Sequence, residues 1–481
     1  MRVLLVYSND MRDVLPPPPI GLSYVASATA DAGHEVRFLD LLVGDSDGSA
    51  LERTIRDFKP EVIGVSVRNI DNVVHQRLQV HLTRLHGQLA RMRELTNAPI
   101  VLGGPAISIL SGDALTHMDA DYVIRGEGEE AFPLLLEALQ GERGLNEVPG
   151  LLYRDGERLA GSPPRPLCGF DGSGMERWID WKRYARAGST WPIQTKRGCP
   201  MICNYCTYPA VEGKGMRKRP PEEVVDEIER VARTVNPRCF EFIDSTFNLP
   251  QSHAIAICEA IIRRGLKVRL TTMGINPLGV SAELLTLMKR AGFHSMMVTP
   301  ESASDATLKG LSKGFGRRDV ERCARLVRES GIASMWFFML GGPGETKETV
   351  EETVGFAERE LDFPGCVSMF TTGIRVLPGT QLAELARKEG RIGPDQSLAE
   401  SVFYFSDEVS EKWMLKRINQ AIARCPRIVH AAEDPASDPN AATVYRLLHT
   451  FRVAPPYWRL LPGFLTLKPV HKRRMRILRA G

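Results

Sequence analysis

Three cysteines within eight residues are the strongest chemical signal in the sequence: Cys199, Cys203 and Cys206, with the spacing C-x3-C-x2-C. A zinc site would need a fourth Cys or His close by, yet residues 118–238 contain no further Cys or His except Cys168. A [4Fe–4S] cluster normally takes four cysteines, so three of them would leave one iron open to another ligand. The spacing therefore favours a cluster with an open iron, and a chance grouping of cysteines is the alternative.

The elements around these cysteines alternate between strand and helix patterns. Strand patterns occur at Trp191–Lys196, Cys239–Phe247, Lys267–Met273, Ser295–Pro300, Ser334–Leu340 and Val367–Val376. With helical patterns between them, six units in about 190 residues predict a partial parallel (β/α)6 barrel, whose chemistry lies at the carboxyl ends of its strands. The cysteines directly follow the first strand, which places them at that end.

The first 145 residues show another α/β pattern. Predicted strands are Val3–Tyr7, Val36–Leu39, Val62–Val67, Ile100–Leu102 and Tyr122–Ile124. Helical stretches, among them Val73–Leu95, lie between them, so we predict a parallel sheet. Ligands of such sheets bind beyond the carboxyl ends of the strands, where loops of small residues let a ligand approach the backbone.

The remaining segments have a different character. Residues 146–188 are rich in Gly and Pro and are predicted to form a linker with a small hairpin at Leu151–Leu159. Residues 189–395 hold the predicted barrel. Residues 396–481 show helical patterns and end in a basic tail, in which residues 457–481 carry seven Lys or Arg and no acid.

The composition excludes several classes of protein. A length of 481 residues predicts about three domains, and a net charge of +4 is too small to indicate nucleic-acid binding. The first apolar run has five residues, fewer than the roughly 7–15 of a secretory signal, and no segment approaches the roughly 18 needed to span a bilayer. Nine cysteines without an export signal argue against a disulfide scaffold. We therefore expect a cytoplasmic protein.

The cysteine spacing and its setting resemble the radical S-adenosylmethionine (SAM) superfamily, whose hallmark is C-x3-C-x-aromatic-C after the first barrel strand. Tyr205 stands at the aromatic position, and family-like motifs end later strands: FIDSTFN at 242–248, ESASD at 301–305, GGPGET at 341–346 and LPGT at 377–380. The resemblance implies a [4Fe–4S] cluster on the three cysteines. It also implies SAM contacts at Tyr205, Asp244, Glu301, Ser302, Gly341 and Gly342. For the polar residues at strand ends, capping of the following helix is the alternative.

The first 145 residues resemble the cobalamin (B12)-binding domain that one class of radical SAM enzymes carries. The matching motifs are PPIGL at 18–22, GHEV at 33–36, GVS at 64–66, GGP at 103–105 and GEGE at 126–129. The resemblance implies a Rossmann-like sheet with cobalamin near Arg68, Asn69, Gly103, Gly104, Gly126, Glu127 and Gly128. A purely structural role of these glycines in turns is the alternative.

One departure concerns the lower face of the corrin. Other B12 domains carry D-x-H-x-x-G after the first strand, whereas residues 9–14 contain no histidine. The resemblance therefore implies base-off cobalamin without a His ligand.

The resemblance implies a cobalamin-dependent methyltransferase that cleaves SAM at the cluster and methylates an unactivated carbon of a small-molecule or natural-product substrate. Two alternatives stay open. One is cyclisation, ring contraction or oxidation without methyl transfer. The other, from a different class, is a cobalamin-binding sensor or carrier with a structural cluster.

The sequence offers fewer indications about partners. The basic loop Lys214–Arg219 suits an acidic ligand or an electron donor of the flavodoxin or ferredoxin type. The basic tail suits either peripheral contact with a membrane or packing on the barrel. Cys366 and Cys425 are minor candidates for a proton or hydrogen donor, with a place in the core as the alternative. Nothing indicates a nucleic-acid partner.

Overall fold

The computed structural model describes residues 1–9, 16–43, 49–433, 441–468, 470, 471 and 474. Residues 10–14, on which the predicted absence of a His ligand depends, lie outside the described residues. The same holds for residues 469, 472, 473 and 475–481 of the predicted basic tail.

Within the described residues, five parallel strands form the first sheet in the order β2-β1-β3-β4-β5. They are β1 (Arg2–Ser8), β2 (Glu35–Asp40), β3 (Val62–Val67), β4 (Ile100–Gly103) and β5 (Tyr122–Ile124). Leu4 and Val6 enter one apolar core, whereas Val3 and Leu5 enter another, because helices cover both faces. The strand order reverses between β1 and β3, and ligands of such sheets bind at that point.

An antiparallel hairpin extends this sheet beyond β5. Its strands are β6 (Leu151–Asp155) and β7 (Arg158–Gly161). The helices of this part are α1 (Ile20–Asp31), α2 (Ala50–Phe58), α3 (Leu82–Leu95), α4 (Pro105–Leu110), α5 (Gly112–His117) and α6 (Gly128–Leu139). The predicted parallel α/β sheet is therefore confirmed, together with the small hairpin.

The segment before α3 departs from the predicted helix over Val73–Leu95. In the structure α3 begins only at Leu82. The carboxylate of Asp71 accepts a hydrogen bond from the amide of Val73 at 2.9 Å, and local acceptors of this kind compete with a helix. Residues 68–81 form instead a long connection, called here the β3–α3 loop.

A second, curved parallel sheet forms the barrel. Its strands are β8 (Trp191–Ile193), β11 (Phe240–Phe242), β12 (Leu270–Thr272), β13 (Ser295–Glu301), β14 (Ala333–Leu340), β15 (Cys366–Thr372) and β18 (Ile428–His430). They pair as β8-β11-β12 and β13-β14-β15-β18, and isolated bridges from Leu270 to Phe293 and from Ile275 to Val298 connect the two parts. The predicted partial parallel barrel is therefore confirmed.

Short strands and helices surround this sheet. The strands are β9 (Lys196–Arg197), β10 (Arg217–Lys218), β16 (Ile374–Arg375) and β17 (Phe403–Tyr404). The helices are α7 (Trp181–Arg186), α8 (Tyr208–Val211), α9 (Pro221–Thr234), α10 (Gln251–Arg263), α11 (Ala282–Ala291), α12 (Asp305–Gly310), α13 (Arg317–Ser330), α14 (Lys347–Glu360), α15 (Gln381–Lys388), α16 (Glu411–Arg424), α17 (Ala441–Thr450) and α18 (Leu461–Leu465).

The C-terminal region is mainly helical, as predicted, and it also contributes two short strands, β17 and β18. β18 pairs in parallel with β15 and adds a strand to the six predicted for the barrel. Its three residues are too few to show a strand periodicity in the sequence.

The C-terminal segment also closes the amino-terminal end of the barrel. Trp458 and Leu465 are buried against Met335, Val367 and Val429, which alternate along their strands with residues of the outer core. We call these five residues the barrel floor. In the described part of the chain, no helix has the length and apolar character needed to cross a membrane.

Candidate functional site

The three cysteines lie in a loop that leaves the barrel at its carboxyl-terminal end. The loop begins at Gly198, whose φ of 88° favours glycine. A Cβ atom there would come within 2.1 Å of the carbonyl oxygen of Gly215, so no other residue fits. The amide of Cys206 donates to the carbonyl oxygen of Cys203 at 3.2 Å, which turns the loop back on itself.

The thiols of this loop suit a cluster better than a single metal ion. All three are free, with Cys199 buried and Cys203 and Cys206 half-buried. Burial raises the pKa of Cys206 to about 12 and also raises that of Cys203, so each thiolate needs a neighbouring cation. Among the described residues no three His, Cys, Asp or Glu side chains converge to hold one metal ion. An iron–sulfur cluster binds each thiolate at a separate iron, so three thiols in one loop fit a cluster.

Tyr205 joins this loop to the end of β13. Its hydroxyl donates to Glu301 Oε1 at 3.1 Å, and Lys313 Nζ donates to the same hydroxyl at 3.1 Å. Glu301 has a φ of 66°, and the pairing of β13 with β14 is irregular between Val298 and Glu301. Backbone strain of this kind concentrates at functional sites. A phenol, a carboxylate and an ammonium group are therefore held next to the cysteines.

Asp244 is fixed by the chain itself. It lies at the end of β11, is buried, and accepts hydrogen bonds from the amide and the hydroxyl of Thr195 at 2.7 and 2.6 Å. Lys196 Nζ donates to Asp244 Oδ2, the oxygen that also accepts the Thr195 hydroxyl, at 3.1 Å and to the carbonyl oxygen of Phe247 at 2.9 Å. Asp244 therefore holds the strand that leads into the cysteine loop, and its contact with SAM stays a prediction.

Ser302 is likewise engaged inside the protein. It is buried, its hydroxyl lies 2.9 Å from Thr353 Oγ1, and it accepts a hydrogen bond from the amide of Ser304 at 3.1 Å. The turn 341–346 follows β14, and the amide of Gly341 donates to Glu345 Oε2 at 3.2 Å. These groups shape the barrel mouth, and their contacts with SAM stay predictions.

The residues predicted to approach cobalamin lie at the carboxyl ends of the first sheet. Arg68 and Asn69 follow β3, and Arg68 Nη1 donates to Asn69 Oδ1 at 3.1 Å. Gly103 ends β4 and Gly104 follows it with a φ of 94°. A Cβ atom on Gly104 would come within 2.6 Å of the carbonyl oxygen of Val67, so the turn alone requires glycine. Its contact with the corrin stays a prediction.

Ion pairs join the loop after β5 to the strands beside the cysteines. Arg217 Nη1 donates to Glu127 Oε2 at 2.7 Å, and Arg197 Nη2 donates to Glu129 Oε1 at 2.6 Å. The side chains of Arg197 and Glu127 are 5% and 7% exposed. We call these four residues the interdomain ion-pair cluster. Since Arg197 stands two residues before Cys199, the loop predicted for the corrin and the loop predicted for the cluster are attached to each other.

Family models match both halves of the chain. The model described as the radical SAM superfamily matches residues 193–357, and the model described as the B12 binding domain matches residues 14–136. The chain is a radical SAM enzyme with a B12-binding domain. Its cofactors are therefore a [4Fe–4S] cluster, SAM and cobalamin.

Curated relatives and a solved structure resemble this radical SAM enzyme along most of its length. An uncharacterized methyltransferase of Pyrococcus horikoshii is 28% identical over 376 residues, which are 77% of this chain and 78% of that protein. The anaerobic magnesium-protoporphyrin IX monomethyl ester cyclase of Synechocystis is 28% identical over 326 residues, 66% of this chain and 63% of that protein. The methyltransferase TsrM of Kitasatospora setae, solved with tryptophan and a SAM analogue, has a TM-score of 0.82 at 24% identity and 99% coverage of both chains. TsrM therefore shares the fold.

The ion pairs of Arg197 and Arg217 with the loop after β5 were missed by motif reasoning. The loop Lys214–Arg219 was expected to attract an acidic ligand or electron donor, and the structure corrects this expectation for two of its cations. Arg217 binds Glu127, and Arg219 is buried with its guanidinium donating to Glu227 Oε2 at 2.6 Å. Lys214 and Lys218 stay exposed.

Cys366 and Cys425 lie far from the barrel mouth. Both are buried in the apolar core between the barrel and its helices, and Cys366 stands at the amino-terminal end of β15. Both thiols are enclosed in this core, so the structure favours a structural place for them over a role as donors.

Proposed function

We propose that the protein is a cobalamin-dependent radical SAM methyltransferase that methylates an unactivated carbon of a small molecule in the cleft between its B12-binding domain and its barrel. The observation that carries this proposal is the interdomain ion-pair cluster. It ties the loop Gly126–Glu129 to the strand that precedes the cysteines, so both cofactors serve one cleft. α4 also packs against α8, which directly follows the cysteine loop.

The proposed roles follow the placement of each side chain. Cys199, Cys203 and Cys206 hold the cluster, while Tyr205 and Glu301 border the SAM site. When bound, these groups supply a radical that activates the substrate carbon and a methyl group carried on cobalt. The chain itself supplies fixed positions and exclusion of water.

The walls of the proposed substrate cleft are largely apolar. Ile202 in the cysteine loop is 66% exposed and Met273, after β12, is 42% exposed. Half-buried side chains of Phe337 and Met369 pack on the barrel floor, and half-buried Met339 follows them toward the carboxyl end of β14. These surfaces suit a substrate with an apolar body, because pockets for small molecules are mostly apolar with few polar groups.

The test is anaerobic reconstitution of the full chain with iron, sulfide, cobalamin, SAM and a reductant. Methyl transfer from SAM to the reduced cobalamin yields S-adenosylhomocysteine, and reductive cleavage of SAM yields 5′-deoxyadenosine. We expect both products from the wild type. Cys203→Ala should lose 5′-deoxyadenosine entirely, and normal SAM cleavage in that variant would refute the cluster assignment. Cys168→Ala changes an exposed cysteine outside the loop and serves as the matched control.

The similarity to the cyclase favours a second candidate, a cyclisation or oxidation without methyl transfer. Formation of 5′-deoxyadenosine without S-adenosylhomocysteine would support it. Tight cobalamin binding with neither product would support a sensor or carrier instead.

We also propose the domain boundaries, the type of electron donor and the location of the protein. We assign residues 1–145 to cobalamin, 146–188 to a linker, 189–395 to the barrel and 396–481 to a C-terminal cap. An electron donor of the flavodoxin or ferredoxin type fits the chemistry. We place the protein in the cytoplasm, because all nine cysteines are free thiols.

A further inference from the structure

The C-terminal segment exposes an apolar stripe on α17. Val444 and Leu447 are 49% and 53% exposed, and Phe451, four residues after Leu447, is 76% exposed. Residues at this spacing lie on one face of a helix. The amide of Phe451 donates to the carbonyl oxygen of Leu447 at 2.9 Å, so the helical path continues to that residue.

A second stripe follows around α18. Leu460, Phe464 and Leu467 are 38%, 55% and 50% exposed, again with helical spacing. The opposite side of this segment is fixed, because Trp458 and Leu465 belong to the barrel floor. The rings of Tyr445 and Tyr457 lie 5.2 Å apart and connect the two stripes. The segment is therefore held on the barrel while six large apolar side chains face outward.

The segment that carries these stripes has charged residues of a single sign. Residues 441–481 contain nine Lys or Arg and no Asp or Glu. Arg446, Arg452 and Lys468 are exposed, and among the described residues none of the three forms an ion pair. Apolar side chains with cations and no acids beside them match a surface of acyl chains under anionic headgroups.

We propose that the two stripes, residues 444–451 and 460–468, form a docking surface for an anionic lipid bilayer. Monomeric proteins rarely expose large apolar patches, and an acidic protein partner would not need six outward apolar side chains. The surface lies at the barrel floor, whereas the cysteine loop lies at the opposite end of the barrel. Docking therefore leaves the cleft open to its substrate and electron donor.

The test is co-sedimentation of the full chain with vesicles of phosphatidylcholine alone and with added phosphatidylglycerol. We expect binding to the anionic vesicles that weakens with salt and is at least tenfold weaker on phosphatidylcholine. Phe451→Ser with Phe464→Ser should weaken binding at least tenfold, and so should Arg446→Gln with Arg452→Gln and Lys468→Gln. Leu159→Ser removes an apolar side chain that is 46% exposed on β7 and should bind as the wild type does.

Other outcomes contradict the proposal. Wild-type protein that stays in the supernatant with anionic vesicles refutes it, and so does equal binding of the Phe451→Ser, Phe464→Ser variant. Light scattering distinguishes a second copy of the chain: a dimer that this variant abolishes, without any vesicle binding, assigns the surface to self-association. Matching circular dichroism spectra and thermal transitions exclude misfolding, because all the substituted side chains are exposed.

Discussion

Glu345 shows how a single side chain shapes the barrel mouth. Its carboxylate is buried in the turn after β14, where it accepts hydrogen bonds from the amide of Gly341 and from the hydroxyls of Thr307 and Thr349. Burial outweighs these hydrogen bonds and raises the pKa of Glu345 to about 7. The protonated form is therefore favoured in the folded protein relative to the unfolded chain.

We predict that this residue makes stability fall as pH rises. The contribution of a raised carboxyl pKa is present at about pH 4.5 and is lost as pH rises through about 7, because only the folded state still holds the proton in that window. Between pH 5 and 8 the difference in unfolding free energy between the wild type and Glu345→Gln should fall by roughly 3 kcal/mol. Urea denaturation at several pH values measures it.

The control for this prediction is Glu348, in the first turn of α14. It is exposed, and hydrogen bonds from its own backbone amide and the Thr346 hydroxyl lower its pKa. The difference between the wild type and Glu348→Gln should therefore stay constant between pH 5 and 8 and fall only below about pH 4.5, where the carboxylate takes up its proton. A difference for Glu345→Gln that does not change with pH would contradict the assigned burial.

At the scale of elements, the β3–α3 loop is the least regular part of the first sheet. Val73 has a φ of 53°, which a β-branched residue adopts only under strain, and its side chain is 51% exposed. The loop is nevertheless fixed at its start, because the carboxylate of Asp71 accepts a hydrogen bond from Arg375 Nε at 2.7 Å with both side chains buried. The barrel therefore holds a strained loop of the first sheet in place.

We predict that Val73→Gly stabilises the protein. A left-handed conformation costs an L-residue about 1–2 kcal/mol, and glycine loses about 0.5–1 kcal/mol of backbone entropy. The free energy of unfolding should therefore rise by about 0.5–1 kcal/mol in urea denaturation. Val80→Gly, on the same loop and 42% exposed without a positive φ, should lower it by a similar amount. If both variants change the free energy of unfolding in the same direction, Val73 is not strained.

The elements also show what the sequence could predict. Long apolar runs such as those of β1 and β14 were predicted almost to the residue, because their burial leaves a continuous pattern. Residues 73–81 of the β3–α3 loop were predicted as helix, because the turn at Asp71 depends on a side-chain acceptor that periodicity does not show. β18 was missed because its pairing with β15 joins residues about 60 positions apart.

At the scale of the whole molecule, the interdomain ion-pair cluster connects the two halves. The guanidinium of Arg197 also stacks on the rings of Tyr24 and Phe170, at 4.6 and 4.2 Å from their centroids. Removing one partner of a buried ion pair lowers the free energy of unfolding strongly, because the other charge stays buried without a partner.

We predict that Arg197→Met lowers the free energy of unfolding by about 3–5 kcal/mol, because it leaves Glu129 without a cation in a largely buried position. Guanidinium denaturation measures the loss. Arg165 pairs with the adjacent Glu130, but its side chain is 65% exposed, so Arg165→Met should cost less than about 1 kcal/mol. Similar losses for both variants would count against a coupling role of Arg197.

Distance along the chain decided which site residues could be predicted from the sequence. The three cysteines are close together in the chain, so their spacing identified them, and the resemblance to the radical SAM hallmark added Tyr205 between them. Arg197 pairs with Glu129 and Arg217 with Glu127, about 70–90 residues away in the chain. A local motif cannot show a partner at such a distance. Asp244 was found by its motif, but its hydrogen bonds to Thr195 appear only in the folded chain.

The barrel floor has a consequence for the order in which the protein is made. Trp458 follows Cys206 by about 250 residues, and synthesis at roughly 5–20 residues per second separates them by some 10–50 seconds. During that interval the strands around the cysteine loop can pair while the far end of the barrel lacks its floor. The nascent chain therefore passes through an open-ended barrel, and the arrival of Trp458 and Leu465 marks the moment when its interior is sealed from below.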